Sequence, residues 1–154
     1  MFYSIGYSLT SLPNFIKVLK DRDIATLVDV RTIPRSRVKY FNKAYLRDSL
    51  IHHGISYIHD PRLGGKTGER GPEYAKALHS LQVMEYPDEH INIAFMCLER
   101  KPEECHRGQW ITPDLMKLGE TVEHLFPLPR GEEVTNHNQA GFHLIAREYD
   151  NQST

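Results

Sequence analysis

The sequence predicts an α/β protein: a single three-layer α-β-α domain around a mainly parallel sheet of about five strands. Three observations predict it. Apolar runs and amphipathic stretches alternate in the order β-α-β-α-β-α-β-α-β. Two of the runs, residues 25–30 and 91–97, are apolar almost throughout, as parallel strands covered on both faces are. A chain of 154 residues with 40% hydrophobic and 25% charged side chains suits one soluble domain with an ordinary core.

Taken in order, residues 2–7 mix aromatic and β-branched side chains and read as a first strand ending near Gly6. Ser8, Thr10 and Ser11 offer N-caps, Pro13 suits a first turn, and Phe15, Ile16 and Leu19 recur at helical spacing. The second strand, 25–30, holds Asp29, which is costly to bury without a partner. Asn42 can cap a second helix with a stripe of Tyr45, Leu46, Leu50 and His53, stopped by Gly54. Residues 55–59 alternate well enough for a third strand. The stretch 60–72, DPRLGGKTGERGP, has the composition of an exposed loop. Pro72 then opens a third helix carrying Tyr74, Leu78 and Leu81, which Pro87 ends.

The fourth strand, 91–97, turns through Glu99, Arg100, Lys101 and Pro102 into a helix near Glu104. Pro113 should kink or divide that helix, or Thr112 and Pro113 begin a separate short one ending at Gly119. A last strand fits 121–126. From Pro127 the chain turns polar apart from 141–146, so we divide it into an α/β domain, 1–126, and a C-terminal arm or tail, 127–154. No internal repeat is evident.

Composition sets limits on function. The net charge of −1 provides no global basic field for nucleic acid or a membrane surface, so anion binding must be local. No apolar run approaches the roughly 20 residues of a membrane span. The opening MFYSIGYS lacks the basic and apolar segments of a secretory signal, and two cysteines do not make a disulfide scaffold. A cytoplasmic protein with reduced thiols is therefore the expectation.

Chemistry gathers where buried strands feed polar loops, the usual ligand face of an open α/β sheet. Arg31, Arg35 and Arg37 follow the second strand closely enough to cradle a phosphate or carboxylate, Arg31 foremost and Arg35 least. One of them can equally neutralise Asp29 or Glu99. Cys105, at a helix start, is a candidate nucleophile, with His106 or Glu99 as proton partner. Packing is the commoner role of such a cysteine. Cys97, Cys105 and His106, with Glu99, are alternatively competent zinc ligands, although the spacing matches no standard knuckle. A Cys97–Cys105 redox pair requires Cα atoms within roughly 7 Å. Leu63-Gly64-Gly65-Lys66 lacks phosphate-loop spacing, yet Lys66 is placed to approach a bound anion. Tyr3, Tyr7, Tyr40, Phe41 and Tyr57 flank these loops as base-stacking or core residues.

These motifs resemble the domain of unknown function 488 family. The resemblance rests on Ser4-Ile5-Gly6-Tyr7-Ser8, on Val28-Asp29-Val30-Arg31 with Pro34, Ser36 and Arg37, and on Phe41 and Leu63-Gly64-Gly65. It continues in Met96-Cys97 with Glu99, Pro102 and Cys105-His106-Arg107, and spans about residues 2–126. It implies a compact α/β domain whose motifs converge on one side of the sheet, and no established reaction. Tyr7 departs from the family's usual histidine, removing one candidate base. Gly108 and Pro113 interrupt a helix that the family keeps whole.

Three functions fit. The first is an enzyme acting on a phosphate-bearing substrate, a nucleotide or nucleic acid end. Arg31, Arg37, Arg107 and Lys66 would bind it, and Cys105, His106, Glu99 and Asp29 would carry the chemistry. The second is a cysteine-centred metal or thiol-redox protein. The third is a non-catalytic anion- or protein-binding module. No cofactor is expected under the first reading; zinc belongs to the second. Many ionisable groups at one predicted cleft favour the enzyme.

Overall fold

The computed structural model describes residues 1–65, 70–85, 91–132 and the strand at 141–145. Its centre is a sheet of five parallel strands: β1 (Phe2–Gly6), β2 (Ile24–Asp29), β3 (Ser56–His59), β4 (Asn92–Cys97) and β5 (Val122–Pro127). The spatial order is β3-β2-β4-β1-β5, and β6 (Gly141–Ile145) pairs antiparallel on the outer edge of β5. The expected α/β sheet is present, and the C-terminal arm contributes its sixth strand.

The helices are α1 (Leu12–Asp21), α2 (Lys43–His52), α3 (Pro72–Val83) and α4 (Thr112–Lys117). Successive β1 residues point to opposite faces. Tyr3 and Ile5 join Phe15 and Leu19 of α1 and Leu46 and Leu50 of α2 in one core. Phe2 joins Tyr74, Leu78 and Leu81 of α3 and Leu115 of α4 in the other. Three layers result, with α1 and α2 on one face and α3 and α4 on the opposite one.

Local signals set most of the element boundaries. Ser11 caps α1 by accepting a hydrogen bond from the Asn14 backbone (3.2 Å). Gly54 and Gly119, both at positive φ, follow α2 and α4, where a side chain would be strained. Asn42 corrects one expectation. It sits at the start of α2, but its side-chain oxygen accepts from Ser36 N–H (2.7 Å) and so ties down the basic loop. Tyr45 and His53 are exposed, leaving Leu46 and Leu50 as the buried stripe. The loop after β3 is only partly exposed, because Leu63 is fully buried. Helix α3 ends before Pro87, which, like Lys66, lies outside the described residues.

The chain beyond β5 docks at first. Asn14 donates from its amide to the carbonyl oxygens of Leu128, Pro129 and Glu132, and Thr10 donates to that of Leu128 (2.6 Å). Among the described residues no helix is long and apolar enough to cross a membrane.

Candidate functional site

A cleft of about 430 Å³ opens over the carboxyl ends of β1, β2 and β4. Topology explains its place. The neighbouring strands β1 and β4 lead into helices on opposite faces, so the loops part and leave a crevice between them. Tyr7 enters from β1, Arg31 to Ile33 and Arg35 from β2, and Cys97, Leu98 and Glu99 from β4. Cys105, His106 and Trp110 close the far side, with Gly65 at the edge.

Asp29 and Arg31 form the wall beneath Tyr7. Asp29 is fully buried and takes both ends of the Arg31 guanidinium, at 2.9 and 2.7 Å, with the Tyr57 hydroxyl at 2.5 Å. Arg31 also donates to the Phe41 carbonyl (2.7 Å) and the Tyr7 hydroxyl (3.3 Å). Burial opposes its charge, but the Asp29 bonds outweigh burial and hold its pKa above the ordinary value. Burial, reinforced by Asp29, likewise raises Tyr57. The sequence placed Arg31 foremost as an anion ligand; its fork is instead occupied by Asp29, and Asp29 is no free base.

On the opposite face of the sheet lies a second buried polar group. Cys97 and Cys105 meet sulfur to sulfur as a disulfide, although their Cα atoms, 7.5 Å apart, stand just beyond the roughly 7 Å expected of such a pair. Reduced thiols were the compositional expectation; the fold brings the two together across the turn at Pro102. The Glu99 carboxylate lies 3.4 Å from the Cys97 sulfur. Arg107 is fully buried. Its guanidinium donates to Cys97 Sγ (3.3 Å), to Ser4 Oγ (2.6 Å) and to the Glu99 carbonyl (2.7 Å). Ser4 in turn bonds His124 Nδ1, and burial, helped by the Arg107 charge, pushes the His124 pKa down to about 3. Arg107 therefore works from behind the cysteines, not on the surface of the cleft.

His106 is oriented from two sides. Its Nε2 donates to the Val30 carbonyl (3.2 Å), which fixes the tautomer and leaves Nδ1 as an acceptor 3.8 Å from Cys105 Sγ. Burial lowers its pKa despite that bond, so the ring is neutral near pH 7. Gly65 faces the ring so closely that a Cβ there would approach it at 2.9 Å. Gly6 and Gly108 serve the same end. A side chain at Gly6 would collide with the Glu99 carbonyl, and one at Gly108 with that of Pro102.

The helical segment after Cys105 carries the departures noted in the sequence. Residues Arg107–Ile111 form a π-helical turn that runs directly into α4, with Pro113 in the first turn of α4. Both the backbone N–H and the hydroxyl of Thr112 reach the Arg107 carbonyl, the latter at 2.8 Å. The wider turn absorbs the proline without separating the two halves.

Cys97, Glu99, Cys105 and His106 are thus gathered at one cleft, with Arg31 in its wall, Asp29 buried behind Arg31, and Arg107 beneath the cysteines. Arg37 lies next door, in a groove of about 870 Å³ shared with Arg35 and Arg130. Sequence reasoning missed Ser4 and His124. The available signal was a polar residue at an inward position of a strand otherwise built to be buried, which demands a partner.

Of the residues that carry the family resemblance, Tyr7, Arg31, Gly65, Cys97, Glu99, Cys105 and His106 line this cleft. Residues 11–109 match the family model described as Domain of unknown function DUF488. The chain belongs to that family. No curated protein and no solved structure matches it. The family's description assigns no reaction.

Proposed function

We propose that this protein is an enzyme acting on a phosphate-bearing substrate, a nucleotide or a nucleic acid end, in the cleft above β1, β2 and β4. One observation carries the reading. A wall of Cys97, Glu99, Cys105 and His106 shares the cleft with Arg35, which belongs to a stretch, residues 34–43, with four basic side chains and no acidic one. In a protein of net charge −1 that asymmetry is local, and it borders the cleft. Arg35 and Arg37 are exposed and line the cleft and the adjoining groove, so they hold the anion. Arg31, bound to Asp29, sets the loop that presents them. His106 Nδ1 accepts a proton, and Glu99 or a reduced Cys105 supplies the second reacting group.

The joined sulfurs favour a second reading, thiol–disulfide exchange. A substrate thiolate would attack one sulfur and form a mixed disulfide, releasing the other cysteine as the leaving group. A second substrate thiol then completes a substrate disulfide and leaves Cys97 and Cys105 reduced.

The test is thermal unfolding with inorganic phosphate, mononucleotides and short oligonucleotides, on the wild type and on Arg35→Ala/Arg37→Ala. A ligand at a hundredfold excess over its dissociation constant stabilises by about 2.7 kcal/mol. A shift with a phosphate compound that the double variant loses supports the proposal. An equal shift in the variant, or none with any phosphate compound, overturns it and leaves the exchange reading.

A further inference from the structure

The cleft holds more than an anion rim and a disulfide. We propose that the reduced form of this protein binds a zinc ion through Cys97, Glu99, Cys105 and His106. The inference concerns the cysteine wall alone and does not depend on the substrate being a phosphate compound.

Four observations support it. The sulfurs of Cys97 and Cys105 and a Glu99 carboxylate oxygen all lie within 4.8 Å of one another. Ligands of one tetrahedral ion, with metal–sulfur bonds of about 2.3 Å, are separated by about 3.5–4 Å, so small side-chain rotations suffice. The fourth ligand, His106, stands outside that trio and adjoins Cys105, its Nδ1 3.8 Å from the sulfur. His106 gives its Nε2 proton to the Val30 carbonyl and turns Nδ1 toward Cys105, as a metal-binding histidine does when its other nitrogen is held by a backbone oxygen. The backbone spacing also suits an ion. Cα atoms 7.5 Å apart lie beyond the roughly 4.4–6.8 Å that disulfides usually span, and leave room for two thiolates about 3.5–4 Å apart around one ion.

Electrostatics supplies the fourth. Two thiolates and one carboxylate bring three negative charges, and a divalent ion with the buried Arg107 guanidinium brings three positive ones. The cluster is neutral as a whole, which a buried site requires. Arg107 donates to both sulfurs, from Nε to Cys97 and from its backbone N–H to Cys105 (3.4 Å), as donors around metal thiolates do. Thiolate and imidazole ligands select zinc over magnesium or calcium.

The disulfide is the metal-free state of the same site. Reducing it takes two electrons and two protons from a dithiol reductant, which leaves as its own disulfide. Zinc then displaces the two thiol protons to solvent as it binds. Oxidation reverses the sequence and releases the ion.

The experiment uses the full chain, reduced with a phosphine and handled without oxygen. Zinc content is measured after dialysis, and cobalt(II) is titrated as a spectroscopic probe. A single bound zinc per chain and an intense thiolate-to-cobalt absorption band are expected. Cys97→Ser/Cys105→Ser should lose the band, while Glu99→Gln and His106→Gln should keep it with binding weaker by at least the roughly 10-fold that loss of even an outer-shell partner costs. The oxidised wild type serves as a folded control and should take up no metal. Reduced protein without stoichiometric zinc, cobalt bound without the band, or uptake by the oxidised protein would each overturn the site. None of these results bears on the phosphate readout with Arg35 and Arg37, so the two proposals fail separately.

Discussion

At the scale of single residues, Arg31 shows how a candidate ligand becomes a structural ion. Its fork is filled by a carboxylate with no solvent exposure, two positions earlier in the chain. Truncating it strands that charge in the core. Arg31→Ala should cost about 3–5 kcal/mol in urea unfolding, whereas Arg31→Ala with Asp29→Asn should recover part of the loss. A single variant as stable as the wild type would show that the pair holds nothing. Arg35, the least favoured of the three arginines by position, is exposed at the cleft, with Arg37 exposed in the adjoining groove. The sequence placed three guanidiniums beside Asp29 but held no cue to which one the carboxylate takes, because that depends on the path of the loop. Asn42 decides that path by holding the Ser36 backbone.

Elements position the site through close backbone approaches. The first residues after β4 lean on Gly6 of β1, where hydrogen alone fits against the Glu99 carbonyl. Gly6→Ala should push the 98–100 turn outward, cost about 1–3 kcal/mol, and disturb Glu99 and Cys97 together. Amide exchange in the turn after β4 is the readout; an unchanged exchange rate there sinks the argument. The π-helical turn is the other device. Pro113 was legible as a break, and Thr112–Pro113 as a fresh start, which is where α4 begins. The wide turn joining it to Cys105 was not legible, since it depends on Gly108 packing against Pro102 in the 3-10 turn just before Cys105.

For the whole molecule, the buried chain Arg107–Ser4–His124 links the site to the far strand β5. It has a pH signature. His124 is held to about 3 in the fold against about 6.5 when unfolded, so between those values the unfolded chain binds more protons. Stability is full above about pH 6.5 and falls as pH drops toward 3, at about 1.4 kcal/mol per pH unit for this one proton. His106, also lowered, acts in the same direction. His124→Asn should flatten part of the slope of melting temperature against pH below 6.5. An identical slope would mean that His124 is not the group responsible.

The sequence by itself determined the α/β class, the order of elements, the three layers and the loops in which chemistry would collect. Those follow from period and punctuation: apolar runs at strand and helix spacing, serine and proline at helix starts, glycine at helix ends. It also marked Cys97, Glu99, Cys105 and His106 by their place after a buried strand. Only the tertiary structure decided their partners. It joined Cys97 to Cys105, gave Arg31 to Asp29, drew Arg107 under the cleft to Ser4 and His124, and added β6 to the edge of β5. The reason is physical. Local propensity acts over a few residues, whereas a buried polar group finds its partner wherever the fold brings one, two positions away for Arg31 and 120 for Ser4, and only the packed sheet sets the distance.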